Sequence, residues 1–237
     1  CYGSTFYETP NLDRLAAEGM RFTDGYAACP VSSPTRASLL TGKYPATVGI
    51  TNFISGNAWG KLMGVPYFHD LPESETTIAY ALRQASYATA HIGKWHLGPC
   101  WRDHDALGFD DFIGGQEWGQ PHQGYFAPWG LETLSEGAEG DYLTDRLTDE
   151  AIALFDRYAA DPDKPWFMNL SHYAVHTPIQ APADLVAKYE QKARDLGLDP
   201  EADVVEGERF TSLHKANRRI MRRMRQSHPT YAAMIEN

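Results

Sequence analysis

The 237-residue chain has little positive charge, few cysteines and no long apolar run. Its 21 lysines and arginines face 31 aspartates and glutamates, a formal net charge of −10. A nucleic-acid binder usually carries the opposite balance, so DNA and RNA are not expected partners. An acidic enzyme can still take an anionic substrate if its pocket is locally positive. No stretch of about 18 or more apolar residues occurs, so no membrane span is expected. The three cysteines, Cys1, Cys29 and Cys100, fit no metal-binding spacing, and their odd number excludes a fully paired disulfide framework. There is no G-x-x-x-x-G-K-[ST] phosphate loop. No two acids pair in a glycosidase pattern, and there is no internal repeat or low-complexity tract. The chain begins without a methionine or signal peptide and stops inside a helical pattern. It is therefore read as a piece of a longer protein.

What is present is an ordinary globular balance, 43% hydrophobic and 22% charged, with enough length for a sizeable core. Capping and periodicity predict helices over 9–19, 75–85, 141–160 and 229–237. Short strands are expected at 20–24, 87–93 and 166–170, the last as a buried strand. Residues 43–71 and 98–140 read as loops, and 192–207 as a polar, acidic stretch. The run Arg218, Arg219, Arg222, Arg223, Arg225 reads as a solvated helix face, with a grip on polyanions as the lesser reading. Helix–strand–helix–strand order predicts an α/β fold, a mostly parallel sheet flanked by helices, with its site beyond the strands' carboxyl ends.

Three clusters carry chemistry. In Ser32-Ser33-Pro34-Thr35-Arg36-Ala37-Ser38-Leu39-Leu40-Thr41-Gly42, Ser33 is expected to cap a helix with Pro34 at its first position and Gly42 past its end. Such a helix start gathers free N–H groups, an exposed hydroxyl and the Arg36 guanidinium, a setting for an oxyanion. In Gly93-Lys94-Trp95-His96-Leu97-Gly98, Lys94 and His96 alternate just past a strand and are expected to point the same way. His176 precedes Thr177-Pro178 in a turn after the last strand. Taken singly, each has a plain structural explanation. Together they offer a nucleophile position, several cations and two proton carriers.

These motifs, in this order, strongly resemble the type I sulfatases of the alkaline phosphatase superfamily. The segment Tyr7-Glu-Thr-Pro-Asn-Leu-Asp-Arg-Leu-Ala-Ala-Glu-Gly-Met-Arg-Phe resembles the stretch before that family's signature, and the similarity runs from about residue 2 to 182, resuming at Tyr231. The resemblance implies that Ser32 is oxidised to formylglycine by a maturation enzyme. Its hydrate would attack the sulfur of a sulfate ester and give a calcium ion one oxygen ligand. Arg36 would hold that group and Lys94 would bind sulfate oxygens. His96 would deprotonate the hydrate, and His176 would assist the leaving group. The resemblance also implies a sulfated small molecule or glycan as substrate, and a periplasmic or extracellular setting.

The nucleophile position is Ser rather than the commoner Cys, and Cys29 cannot replace it because Val31 and Ser33 stand where the signature needs Pro and Arg. On this reading, residues 1–237 form the N-terminal portion of the large catalytic domain, without its C-terminal part and small subdomain. The family's paired aspartates, its Asp-Asn pair and its second lysine would lie outside the chain. Calcium should then bind poorly, and the chain alone should be inactive. Two alternatives remain: a phosphodiester or phosphonate monoester hydrolase of the same superfamily, and a non-catalytic sulfoglycan-binding protein with unmodified Ser32. Trp59, Trp101, Trp118 and Trp129, in loops 52–70 and 99–135, are expected to frame the pocket and could stack on sugar faces.

Overall fold

The computed structural model describes residues 1–56, 64–210 and 217–237. They fall into two compact units. The larger comprises Tyr26–Gly56 and Pro66–Pro178 and contains every candidate site residue.

In this unit, β1 (Ala88–Gly93) is the middle strand of a parallel sheet, between β2 (Asp111–Ile113) and β3 (Trp166–Ser171). All six residues of β1 are buried, as a parallel strand covered on both faces should be. In register, Gly93 stands opposite Ser171 and His91 opposite Asn169. The strand expected to be buried, β3, is only partly so: Trp166 is 44% exposed and Leu170 39%. It occupies the edge of the three-stranded sheet, so an apolar run there is half covered.

Helix α2 (Ser32–Thr41), the short α3 (Pro45–Val48) and α4 (Ile78–Gln84) help build a core with Trp95, Leu97, Trp101, Phe109 and Phe112. Thus the expected loop 43–71 contains one helical turn. Helix α4 starts three residues later than its pattern suggests because Thr77 caps it, its hydroxyl accepting from Tyr80 N–H at 3.0 Å. Helix α5 (Leu143–Ala159) buries Leu143, Leu147, Ala151, Leu154 and Tyr158, one stripe of a 3.6-residue period.

The other unit holds α1 (Pro10–Glu18), α6 (Ala183–Asp195), β4 (Val204–Arg209), β5 (Arg219–Arg223) and α7 (Pro229–Glu236). Helices α6 and α7 are tied by Lys188 to Glu236 at 2.6 Å, and Tyr189 packs edge-on against Phe6. Two expectations fail here. Residues 20–24 form no strand; their backbone is irregular and Met20 and Phe22 are largely exposed, a short alternation without a ladder partner. The basic run is a strand rather than a helix. It pairs antiparallel with β4, and Arg219 and Arg222 meet Glu206 and Glu208 across the two strands. Opposite charges on facing strands favour that pairing.

Candidate active site

Helix α2 begins two residues earlier than its capping pattern implies. Val31 is the extended N-cap and provides no side-chain cap; Ser32 is the first helical residue. The buried Ser33 hydroxyl instead accepts from Ile54 N–H at 3.0 Å. Gly42 ends the helix in the left-handed conformation, φ +69°, as expected of a C-cap. Ala37 and Leu40 anchor one face in the core. The other face presents Ser32 and, one turn on, Arg36, whose Nε donates to Ser32 Oγ at 3.0 Å.

The second motif leaves the end of β1 through Gly93, at φ +89°. A Cβ there would lie 2.2 Å from the Ser171 carbonyl oxygen, so only glycine fits. Lys94 N–H donates to that same carbonyl at 2.7 Å. Trp95 and Leu97 turn into the core, while Lys94 and His96 are buried beside Arg36. The expected extended alternation is not the cause, because His96 has φ +58°. Its N–H is instead fixed by the Gln116 carbonyl at 3.1 Å.

These elements converge on residue 32. His96 Nδ1 is 3.0 Å from Ser32 Oγ, and its Nε2 faces the Ile54 carbonyl at 3.3 Å. Arg36 Nη1 donates to the Lys94 carbonyl and to Ser171 Oγ, each at 2.8 Å. His176 is exposed, its Nδ1 lying 3.0 Å from the Thr177 carbonyl. It is outside the hydrogen-bonded cluster, but charge on it disfavours protonation of His96.

Burial and mutual repulsion set the protonation states. Desolvation, then the charge of Arg36, lowers Lys94 to about 8. Desolvation lowers Arg36 to about 10. His96 falls to about 4, through desolvation first and the neighbouring Lys94 charge second. At neutral pH the cluster therefore holds a buried ammonium, a half-buried guanidinium and a neutral imidazole. No carboxylate is among the groups that shift either cation. That arrangement can hold a tetrahedral anion and accept a proton from residue 32.

The described residues contain no group of three or more His, Cys, Asp or Glu side chains able to hold a metal. Around Ser32 the partners are nitrogen groups, whereas calcium takes oxygen ligands. These residues do not form a calcium cage by themselves.

The sequence did not point to Ser171, Gly119 or the Ile54 carbonyl. A Cβ on Gly119 would lie 2.4 Å from the His96 ring. Of the tryptophans, Trp101 and Trp129 are core residues, 4% and 1% exposed, and so do not frame a pocket. Trp118 is 40% exposed and its ring centroid is 4.7 Å from that of His122. Trp59 lies outside the described residues.

The sulfatase family profile matches residues 1–237. The chain belongs to the sulfatase family. N-acetylglucosamine-6-O-sulfatase of Bacteroides thetaiotaomicron is 35% identical over 74% of this chain and 28% of its own length. N-acetylgalactosamine-6-sulfatase of Sus scrofa is 33% identical over 76% of the chain and 37% of its own. The crystal structure of Ps i-CgsB in complex with k-i-k-neocarrahexaose is 31% identical, with a TM-score of 0.59 over 80% of this chain and 44% of that one. This sulfatase-family chain thus spans well under half the length of the curated relatives it matches. Among the described residues no helix is long and apolar enough to cross a membrane.

Proposed function

We propose that the protein carrying this chain hydrolyses sulfate esters of carbohydrates, and that Ser32 is the residue matured for that chemistry. One observation carries the reading: the half-buried Arg36 and the buried Lys94, with no carboxylate shifting either, beside Ser32 at the start of α2. Such a positive hole inside an acidic chain favours a bound anion.

Serine without a strong base is a weak nucleophile. Oxidation of Ser32 to formylglycine by a maturation enzyme would supply a hydrated aldehyde, both to attack sulfur and to release sulfate afterwards. The chain's own residues do the rest. Arg36 orients residue 32 through Nε, and Lys94 offsets charge on the sulfate oxygens. His96 takes a proton at Nδ1. His176, on the exposed side, protonates the departing oxygen.

Calcium assistance belongs to this reading, with residue 32 as one ligand. A hard cation takes about six or more oxygen ligands and the described residues gather no such cage, so the isolated chain should bind calcium poorly and turn over far more slowly than a longer protein. The names of the two curated relatives, both hexosamine sulfatases, support a sulfated sugar as substrate, and the exposed Trp118 could stack on its ring. Export to the periplasm or outside the cell fits the family.

The test is sulfate release from N-acetylglucosamine 6-sulfate by the longer protein, against a phosphonate monoester and a phosphodiester. Faster turnover of the sulfate ester is expected. Preference for either phosphorus substrate would overturn the reading.

A further inference from the structure

We infer that Ser171 is the positioning residue that holds Arg36 and Lys94 as one anion-binding unit; this rests on the anion-site reading above. Ser171 closes β3 opposite Gly93. Two different groups of this one residue touch both cationic residues. Its hydroxyl accepts from Arg36 Nη1 at 2.8 Å, and its carbonyl accepts from Lys94 N–H at 2.7 Å. Arg36 Nη1 also donates to the Lys94 carbonyl at 2.8 Å, which closes a triangle.

Two like charges buried side by side repel, and each lowers the other's tendency to stay protonated or turns its side chain away. Among the described residues Arg36 makes no carboxylate fork to resist that. Its remaining side-chain partners are two hydroxyls: Ser32 Oγ on Nε and Ser171 Oγ on Nη1. Residue 32 is the reacting group, so its bond to Arg36 changes as chemistry proceeds. Ser171 is the side-chain acceptor that stays constant. The hydroxyl thus fixes the plane of the guanidinium while the carbonyl fixes the start of the Lys94 loop. The backbone half of this brace is independent of the side chain, so it survives substitution, and the hydroxyl half can be tested alone.

The test uses Ser171→Ala and Ser171→Thr in the 237-residue chain, with two readouts. The first needs no ligand: hydrogen exchange of the Arg36 Nη1–H protons, one of which the Ser171 hydroxyl accepts, followed by nitrogen-15 NMR. Exchange should quicken about tenfold or more in Ser171→Ala, the scale of losing one hydrogen bond to a charged group, and stay near wild type in Ser171→Thr. The second is titration with inorganic sulfate. Affinity should fall about tenfold in Ser171→Ala and recover in Ser171→Thr, with the unfolding midpoint little changed. Unchanged Arg36 exchange in Ser171→Ala overturns the inference. Quickened exchange in a chain that does not bind sulfate supports the brace and removes the anion-site reading instead. Should the alanine variant fail to fold, Ser171→Cys keeps the volume with a weaker acceptor and should show intermediate exchange; wild-type exchange there also overturns the inference.

Discussion

His96 Nδ1 lies 3.0 Å from Ser32 Oγ while Nε2 of the same ring faces the Ile54 carbonyl at 3.3 Å. A carbonyl only accepts, so the ring proton belongs on Nε2. That leaves the Nδ1 lone pair aimed at residue 32, the tautomer a base needs. His91 uses the same logic two residues before the motif: Nε2–H donates to the Gly93 carbonyl, and Nδ1 accepts from the Asn169 amide.

Replacing the base should therefore cost turnover more than binding. His96→Gln in the active, longer protein should lower kcat by about 10²–10⁴, while inorganic sulfate still binds through Arg36 and Lys94. Steady-state kinetics and a sulfate titration check the two halves.

Lys94 is charged at neutral pH although burial holds its pKa near 8 instead of 10.5. The folded pKa lies below the unfolded one, so the charged form is penalised by about 3 kcal/mol. The penalty is full below pH 8 and fades as pH rises toward 10.5. Lys94→Met should stabilise the chain at pH 7 by about 1–3 kcal/mol and abolish the rise in unfolding midpoint that sulfate gives the wild type. Urea and thermal unfolding with and without sulfate decide this.

Acid should destabilise the chain in a defined window. His96 titrates near 4 in the fold against 6.5 unfolded, so the unfolded state takes up the proton first. Stability is complete above about pH 6.5 and falls toward pH 4, by about 3 kcal/mol from this residue. Buried His91, lowered to about 3, extends the loss further down. Urea midpoints at pH 7, 5.5 and 4.5 should decline steadily; a flat profile contradicts these protonation states.

Gly119→Ala places a methyl 2.4 Å from the His96 ring. The ring must move off residue 32, at a cost of about 1–3 kcal/mol. Histidine nitrogen-15 shifts should report loss of the Nδ1 interaction, with sulfate affinity largely kept.

Much of this was legible in the sequence, for local reasons. The α5 stripe and Gly42 past α2 follow from periodicity and cap chemistry, whereas Lys94 and His96 come together through the positive φ of His96 rather than the alternation their spacing suggests. What escaped depends on distant partners. Within the basic run, Arg219–Arg223 forms a strand because Glu206 and Glu208 face it. Ser33 was unavailable as a cap because it bonds Ile54, 21 residues away. Ser171 and Gly119 matter only through what the fold sets against them, and no local pattern marks either.

The most direct measurement is the mass of the tryptic peptide spanning residues 22–36 from the protein made in its native host. Conversion of Ser32 to formylglycine predicts the loss of two hydrogens from that residue. An unaltered serine would contradict the account and leave a sulfate-binding chain without its nucleophile.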